Sequence, residues 1–190
     1  MIVDFILPTF NRDKELKSSL YSLLAQTNPN WTAHVMIDNS IHHPMIAQLI
    51  VIEIDDPRIT YSYMDKRYND WGHTLREKGK QESTGDYIVM TGDDCYYCPT
   101  CVQDIITAAK DNPGMIYWDM VHSHYDYHFF ECHPWMNQID IGAFATRADL
   151  AKQIKLKTSY AADGEFVEEF KVRFPDEEKF KIKKVLFVHN

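Results

Sequence analysis

The chain has 190 residues, 45% hydrophobic and 13% aromatic, with a formal net charge of −8. This composition belongs to a globular protein able to bury a sizeable core, and it excludes disordered and collagen-like classes. The acidic balance argues against a protein that coats nucleic acid, which needs a basic face, and suits a site that holds a divalent cation.

Ile2 to Leu7 reads as a short buried strand ended by Pro8. Asp13 to Ala25 has helical spacing, with Leu16, Leu20, Leu23 and Leu24 on one side. Trp31 to Ile37 is a second strand, stopped by Asp38, Asn39 and Ser40. Pro44 to Ile52 reads as a helix with Pro in its first turn, Ile59 to Tyr63 as a strand, Trp71 to Glu82 as a helix and Tyr87 to Thr91 as a strong strand. Strand and helix alternate three times, which predicts an α/β fold with a mostly parallel, twisted central sheet flanked by helices. Ligands of such sheets sit beyond the carboxyl ends of the strands, so Thr9 to Arg12, Asp38 to Ser40 and Gly92 to Asp94 are expected to converge.

The second half is less regular. Met115 to Val121 and Tyr125 to Phe130 read as strands of a hairpin, followed by a loop from His133 to Gln138. Ile139 to Thr146 is predicted as a strand, Ala148 to Ile154 and Asp163 to Phe170 as helices, and Lys181 to Val188 as the last strand, with His189 at its end. The longest apolar run, Met45 to Ile54, contains Gln48 and Glu53 and is too short to cross a bilayer. The opening MIVDFILP has no basic n-region or cleavage site, so the expectation is a cytoplasmic protein.

Three groups are candidates for chemistry. Asp93 and Asp94 end a buried strand, where two adjacent carboxylates are costly unless a cation compensates them; a solvated turn reads equally well. His189 after an apolar run is either a metal ligand, better suited to manganese than magnesium, or a surface residue. Asp163 opens a helix, so it is either an N-cap or a general base. Cys95, Cys98 and Cys101, with Cys132 and His133, have a spacing that could hold zinc, although buried cysteines commonly pack as small apolar groups. The stretch from His122 to Trp135, rich in His and Tyr, is expected to border an acceptor cleft.

Pro8-Thr9-Phe10-Asn11-Arg12, Leu23-Leu24-Ala25-Gln26-Thr27, Ile37-Asp38-Asn39-Ser40 and Gly85-Asp86-Tyr87-Ile88 running into Asp93-Asp94 together resemble the family-two glycosyltransferases of the GT-A fold. Ile141-Gly142-Ala143-Phe144, Ala162-Asp163-Gly164-Glu165-Phe166 and Val188-His189 resemble the later landmarks of that family, so the resemblance spans nearly the whole chain. It implies one glycosyltransferase domain over 1–190, with a nucleotide-sugar half at 1–98 and a smaller, irregular acceptor-side half at 99–190. It implies an inverting enzyme that moves a sugar from a nucleotide sugar, with UDP favoured, to an acceptor hydroxyl. Pro8, Thr9, Asn11, Arg12, Asp38, Arg76 and Asp93 would bind the nucleotide. Asp94 and His189 would hold Mn²⁺ or Mg²⁺, and Asp163 would be the base. The acceptor stays open, and a homo-oligomer could complete its site.

The chain departs from the family pattern at Gly92, where relatives often carry an acid, and at Ala162, where many have Glu. Three other readings compete. A nucleotidyltransferase would need a Gly-rich phosphate loop after the first strand, where this chain has none. A non-catalytic nucleotide-sugar binder would need no base, and a Cys/His zinc module would use the cysteines.

Overall fold

The computed structural model describes residues 1–38 and 44–190; Asn39 and Ser40 of the second polar cluster lie outside the described residues. The elements run β1 (Val3–Thr9), α1 (Asp13–Leu24), β2 (Trp31–Ile37), α2 (Pro44–Ile54), β3 (Ile59–Tyr63), α3 (His73–Glu82), β4 (Tyr87–Met90), β5 (Cys95–Tyr97), α4 (Cys101–Ala108), β6 (Met115–His122), β7 (His128–Phe130), β8 (Phe144–Arg147), α5 (Ala148–Ala151), α6 (Ala162–Arg173) and β9 (Lys179–His189). All the strands belong to one sheet in the order β3-β2-β1-β4-β8-β6-β9-β5, with β7 also paired to β6.

The first half is parallel as the alternation demands: β2 and β4 flank β1, and β3 adds to β2. Every residue of β1 and β4 is buried, because helices cover both faces and leave no polar side. Helix α1 buries Leu16, Leu20 and Leu23. Helix α3 approaches so closely that a Cβ on Gly79 would lie 2.4 Å from Ile6 Cγ2, so only Gly fits there. The chain leaves β1 for β2 on one side and returns to β4 on the other. That reversal opens a crevice at the carboxyl ends of these strands.

The second half is mixed. β8 runs antiparallel to β4 and β6, whereas β9 runs parallel to β6. Several predicted boundaries shift. The strand expected from Ile139 forms only at Phe144, because Asp140 closes a turn by accepting from the amides of Gly142 and, through its carbonyl, Ala143. The strand expected from Tyr125 shrinks to His128–Phe130, since Ser123–Tyr125 forms a single 3₁₀ turn and Asp126 and Tyr127 are left-handed. Strand β5 was not anticipated; its three residues are too few for a periodicity. Irregularities in β9 opposite Trp118, Asp119 and Met120 shift its register so that His189 lies opposite His122 on β6 and Cys95 on β5. Among the described residues, no helix is long and apolar enough to cross a membrane.

Candidate active site

A cleft of about 870 Å³ lies at the carboxyl ends of β1, β2 and β4. Its walls carry Pro8, Thr9, Arg12, Asp38, Arg76, Asp93, Asp94, Asp163 and His189, nine of the ten residues singled out in the sequence. Asn11 is not part of the wall; it sits exposed in the left-handed turn after β1, with φ of 54°.

The acidic pair is organised by the end of β1. Thr9 Oγ1 donates to Asp93 Oδ2 at 2.8 Å. Arg12 pairs with Asp94 and approaches Asp93 Oδ1 at 3.6 Å. Burial outweighs these favourable contacts and raises the Asp93 carboxyl to about 6. Asp38 takes an amide bond from Tyr68 at 3.3 Å. Arg76 is buried, and its guanidinium donates to the carbonyls of Thr91 and Trp71, both at 2.7 Å. It therefore ties the β4 end to the turn before α3. A Cβ on Gly92 would fall 2.9 Å from Asp94 Oδ1, so the departure from the family's acid at this position leaves room for the Asp94 carboxylate.

Across the cleft, His189 Nε2 is 3.8 Å from Asp94 Oδ1, and Nδ1 is 2.8 Å from Asp140 Oδ2. Burial alone would lower the His189 imidazole, but the hydrogen bond and charge of Asp140, with the charge of Asp94, raise it. Asp140 is only 8% exposed. Burial opposes its charge, yet the His189 and Gly142 hydrogen bonds hold it below the usual carboxylate range. Nothing in the sequence singles out Asp140, which falls inside the strand predicted from Ile139 to Thr146.

Asp163 lies in the first turn of α6, one place inside the helix, and Ala161 occupies the N-cap position. The N-cap reading of Asp163 is thereby corrected, although its Oδ1 accepts the Gly164 amide at 2.7 Å. Burial first, and then the Asp140 charge, raise its carboxyl to about 6, a range that suits proton transfer near neutral pH. Of the His- and Tyr-rich segment, His122, His124, Tyr125 and Phe130 reach the cleft. The His122 and His189 rings lie 4.4 Å apart.

Among the described residues, two groups of metal-capable side chains have ligand atoms within 4.8 Å of one another: Asp94, Cys95 and His189, and His122, Asp140 and His189. Neither contains more than one cysteine, so Cys95, Cys98, Cys101 and Cys132 do not converge on a tetrahedral zinc site. Burial first, and then the charges of Asp94 and Asp140, raise the Cys95 thiol well above its ordinary value. Asp94 and His189 remain, one carboxylate oxygen and one imidazole nitrogen, a set that fits a divalent cation with positions left open for oxygen ligands of a substrate.

The model of the family described as glycosyl transferase family 2 matches residues 4–164. The chain belongs to this family. It is 28% identical over 98 residues to the colanic acid biosynthesis glycosyl transferase WcaA of Escherichia coli strain K12; the match covers 52% of this chain and 34% of that one. It has the GT-A fold of solved glycosyltransferases. The Staphylococcus aureus TarS fragment 1-349 superposes with a TM-score of 0.81 at 14% identity, over 100% of this chain and 60% of that fragment. The mannosyltransferase PcManGT from Pyrobaculum calidifontis, in complex with GDP-Man and Mn²⁺, superposes with a TM-score of 0.78 at 15% identity, over 98% of this chain and 56% of that one. The family-two chain described here therefore spans about a third of the WcaA length and about three-fifths of the TarS fragment.

Proposed function

We propose that this chain transfers a sugar from a nucleoside-diphosphate sugar to an acceptor hydroxyl, with inversion at the anomeric carbon. One observation carries the reading: Thr9, Asp38, Asp93, Asp94, Asp163 and His189, spread over the whole chain, line one cleft at the switch point of the sheet. Solved relatives in this fold hold UDP-GlcNAc or GDP-Man. UDP is favoured because TarS, which holds it, superposes over 99% of this chain with a TM-score of 0.81.

Pro8, Thr9, Asp38 and Asp93 would hold the base and ribose, with Asn11 beside them in the turn. Arg12 and Arg76 would meet the diphosphate, guanidinium groups being suited to phosphate oxygens. Asp94 and His189 would hold Mn²⁺ or Mg²⁺, and a bound cation would offset the charge that grows on the departing diphosphate. Asp163 would take the acceptor proton as the acceptor oxygen bonds to the anomeric carbon. The old carbon–oxygen bond breaks, and its electron pair leaves on the diphosphate. The raised Asp163 carboxyl lets it accept a proton and still be ionised at neutral pH.

Thermal stability against a panel of nucleotide sugars, with and without Mn²⁺, tests the donor site. A ligand at one hundred times its dissociation constant stabilises by about 2.7 kcal/mol. The expected result is a shift that needs both Mn²⁺ and one nucleotide sugar and is absent in Asp94→Ala. No shift with any donor would reject the transferase reading.

A further inference from the structure

Trp71 and Tyr160 are 64% and 75% exposed and both line the cleft. Their rings meet edge to face, with centroids 6.0 Å apart and an interplanar angle of 73°. They come from distant segments, the turn before α3 and the stretch before α6, so the tertiary fold alone brings them together. Large aromatic groups are usually placed to bury their area. Here the area faces the cleft.

The backbone beneath Trp71 is disfavoured as well. Asn69, Trp71 and Gly72 have φ of 53°, 55° and 81°, and the left-handed region is unfavourable for a side chain as bulky as indole. Asp70 Oδ1 is buried without a hydrogen-bond partner among the described residues. The turn is nevertheless held firmly. Arg76 Nη1 donates to the Trp71 carbonyl at 2.7 Å. The Thr74 amide donates to Asp70 Oδ2 at 3.0 Å. A Cβ on Gly72 would fall 2.8 Å from Pro8 Cβ. Strain maintained under an exposed indole serves ligand contact better than it serves the core.

The position of Tyr160 indicates which ligand. It lies three residues before Asp163, so the two Cα atoms are within roughly 10 Å of each other, and both side chains line the same cleft. The molecule beside a general base is the one whose hydroxyl loses the proton. Arg67 stacks on Phe10 with its guanidinium carbon 3.1 Å from the ring centroid, a second aromatic contact in the same cleft, where the ring is already covered by a side chain. A pyranose has one face of C–H groups and a rim of hydroxyls. Aromatic rings take the C–H face through weak C–H contacts, and nearby carboxylates take the hydroxyls. We propose that Trp71 and Tyr160 form an acceptor subsite that stacks on a saccharide ring, so that the acceptor is a glycan or a molecule ending in a pyranose. This rests on the reading of the cleft as a sugar-transfer site with Asp163 as its base.

The test is saturation-transfer NMR with the methyl β-glycosides of glucose, galactose, mannose and N-acetylglucosamine as probes, on protein saturated with UDP and Mn²⁺. In the parent, ring protons of at least one glycoside are expected to receive saturation. Trp71→Ala and Tyr160→Ala should cut that signal at least tenfold. Trp71→Phe should restore most of it, and Trp135→Ala, which removes an exposed indole outside the cleft, should leave it unchanged. Stabilisation by nucleotide sugars should be the same in all four variants, and circular dichroism should show that they are folded. The proposal is overturned if no glycoside responds, or if both alanine variants keep the parent signal. It is also overturned if the response vanishes when UDP and Mn²⁺ are added, or if Trp71→Ala loses the donor shift, since either would assign the pair to the donor. A parent that shows no donor shift would instead fail the transferase reading itself.

Discussion

Asp140 and His189 are joined by a 2.8 Å hydrogen bond between Oδ2 and Nδ1, although 49 residues separate them in the chain. An ionised carboxylate has no proton to give, so Nδ1 carries the hydrogen and donates, and the ring is oriented with Nε2 toward Asp94. Asp140 is itself anchored through Oδ1 by the Gly142 amide at 2.8 Å. Carboxylate–imidazole pairs of this kind fix the tautomer and direction of a metal-binding histidine, and breaking them weakens metal binding by about 10- to 100-fold. Asp140→Ala should show that loss in Mn²⁺ affinity, followed by the electron paramagnetic resonance of free Mn²⁺. Equal affinities in variant and parent would remove His189 from the metal site.

Asp163→Asn keeps the shape of the side chain and can still accept the Gly164 amide, but it cannot take a proton. Transfer should fall by about 10²- to 10⁴-fold, while stabilisation by donor with Mn²⁺ persists. Transfer at the parent rate would exclude Asp163 as the base.

The same residue sets a pH dependence. Its carboxyl is raised from 3.8 to about 6 by burial, so the transfer rate at saturating substrate should climb with pH up to about 6 and then level. The sign for stability is opposite. Below the ordinary carboxylate range the group is neutral in folded and unfolded chains, and as pH rises toward 6 and beyond, the folded state bears the cost of a buried charge. Asp163→Asn should therefore be more stable than the parent at pH 7.5, by about 3 kcal/mol, and the gain should shrink toward pH 4. A gain that is independent of pH would point to packing instead.

Arg12 pairs with Asp94 and lies 3.6 Å from Asp93, so in the ligand-free protein it would compete with a cation for the Asp94 carboxylate. Arg12→Ala should bind Mn²⁺ more tightly in the absence of donor. Its donor affinity should nevertheless drop about 10- to 100-fold, because a charge-assisted phosphate contact worth about 1.5–3 kcal/mol is lost. Calorimetric titration of Mn²⁺ and of nucleoside diphosphate separates the two effects; movement of both affinities in one direction would refute the competition.

Trp71→Gly relieves a left-handed backbone at a site where the side chain packs little. The urea midpoint should rise, corresponding to about 1 kcal/mol, while the glycoside response disappears. A lower midpoint would mean that the indole contributes more to folding through its contact with Tyr160 than its exposure suggests.

Much of the first half was legible in the sequence because local rules governed it. The apolar runs of β1 and β4 and the leucine stripe of α1 answer to burial on two faces or one, and the Pro start of α2 to a fixed φ and a missing N–H. The polar groups that end β1, β2 and β4 follow from the parallel topology, so Thr9, Asp38 and Asp93 could be expected in one crevice. Asn11, expected among them, turns out of the wall, because the side-chain direction in a left-handed turn depends on φ rather than on chain position.

The second half depended on contacts that no local pattern encodes. Asp140 looked like a strand residue, and only its meeting with His189 reveals its place. The register shifts of β9 beside Asp119, which bring His189 opposite both Cys95 and His122, come from fitting an eleven-residue strand against two partners at once. Trp71 and Tyr160, 89 positions apart, had no shared periodicity to connect them. The sequence by itself determined the α/β pattern, the family and the acidic and histidine groups, since these rest on residue type and spacing. The tertiary structure decided how those groups are aimed, because orientation is set by long-range hydrogen bonds, sheet register and the burial of charge.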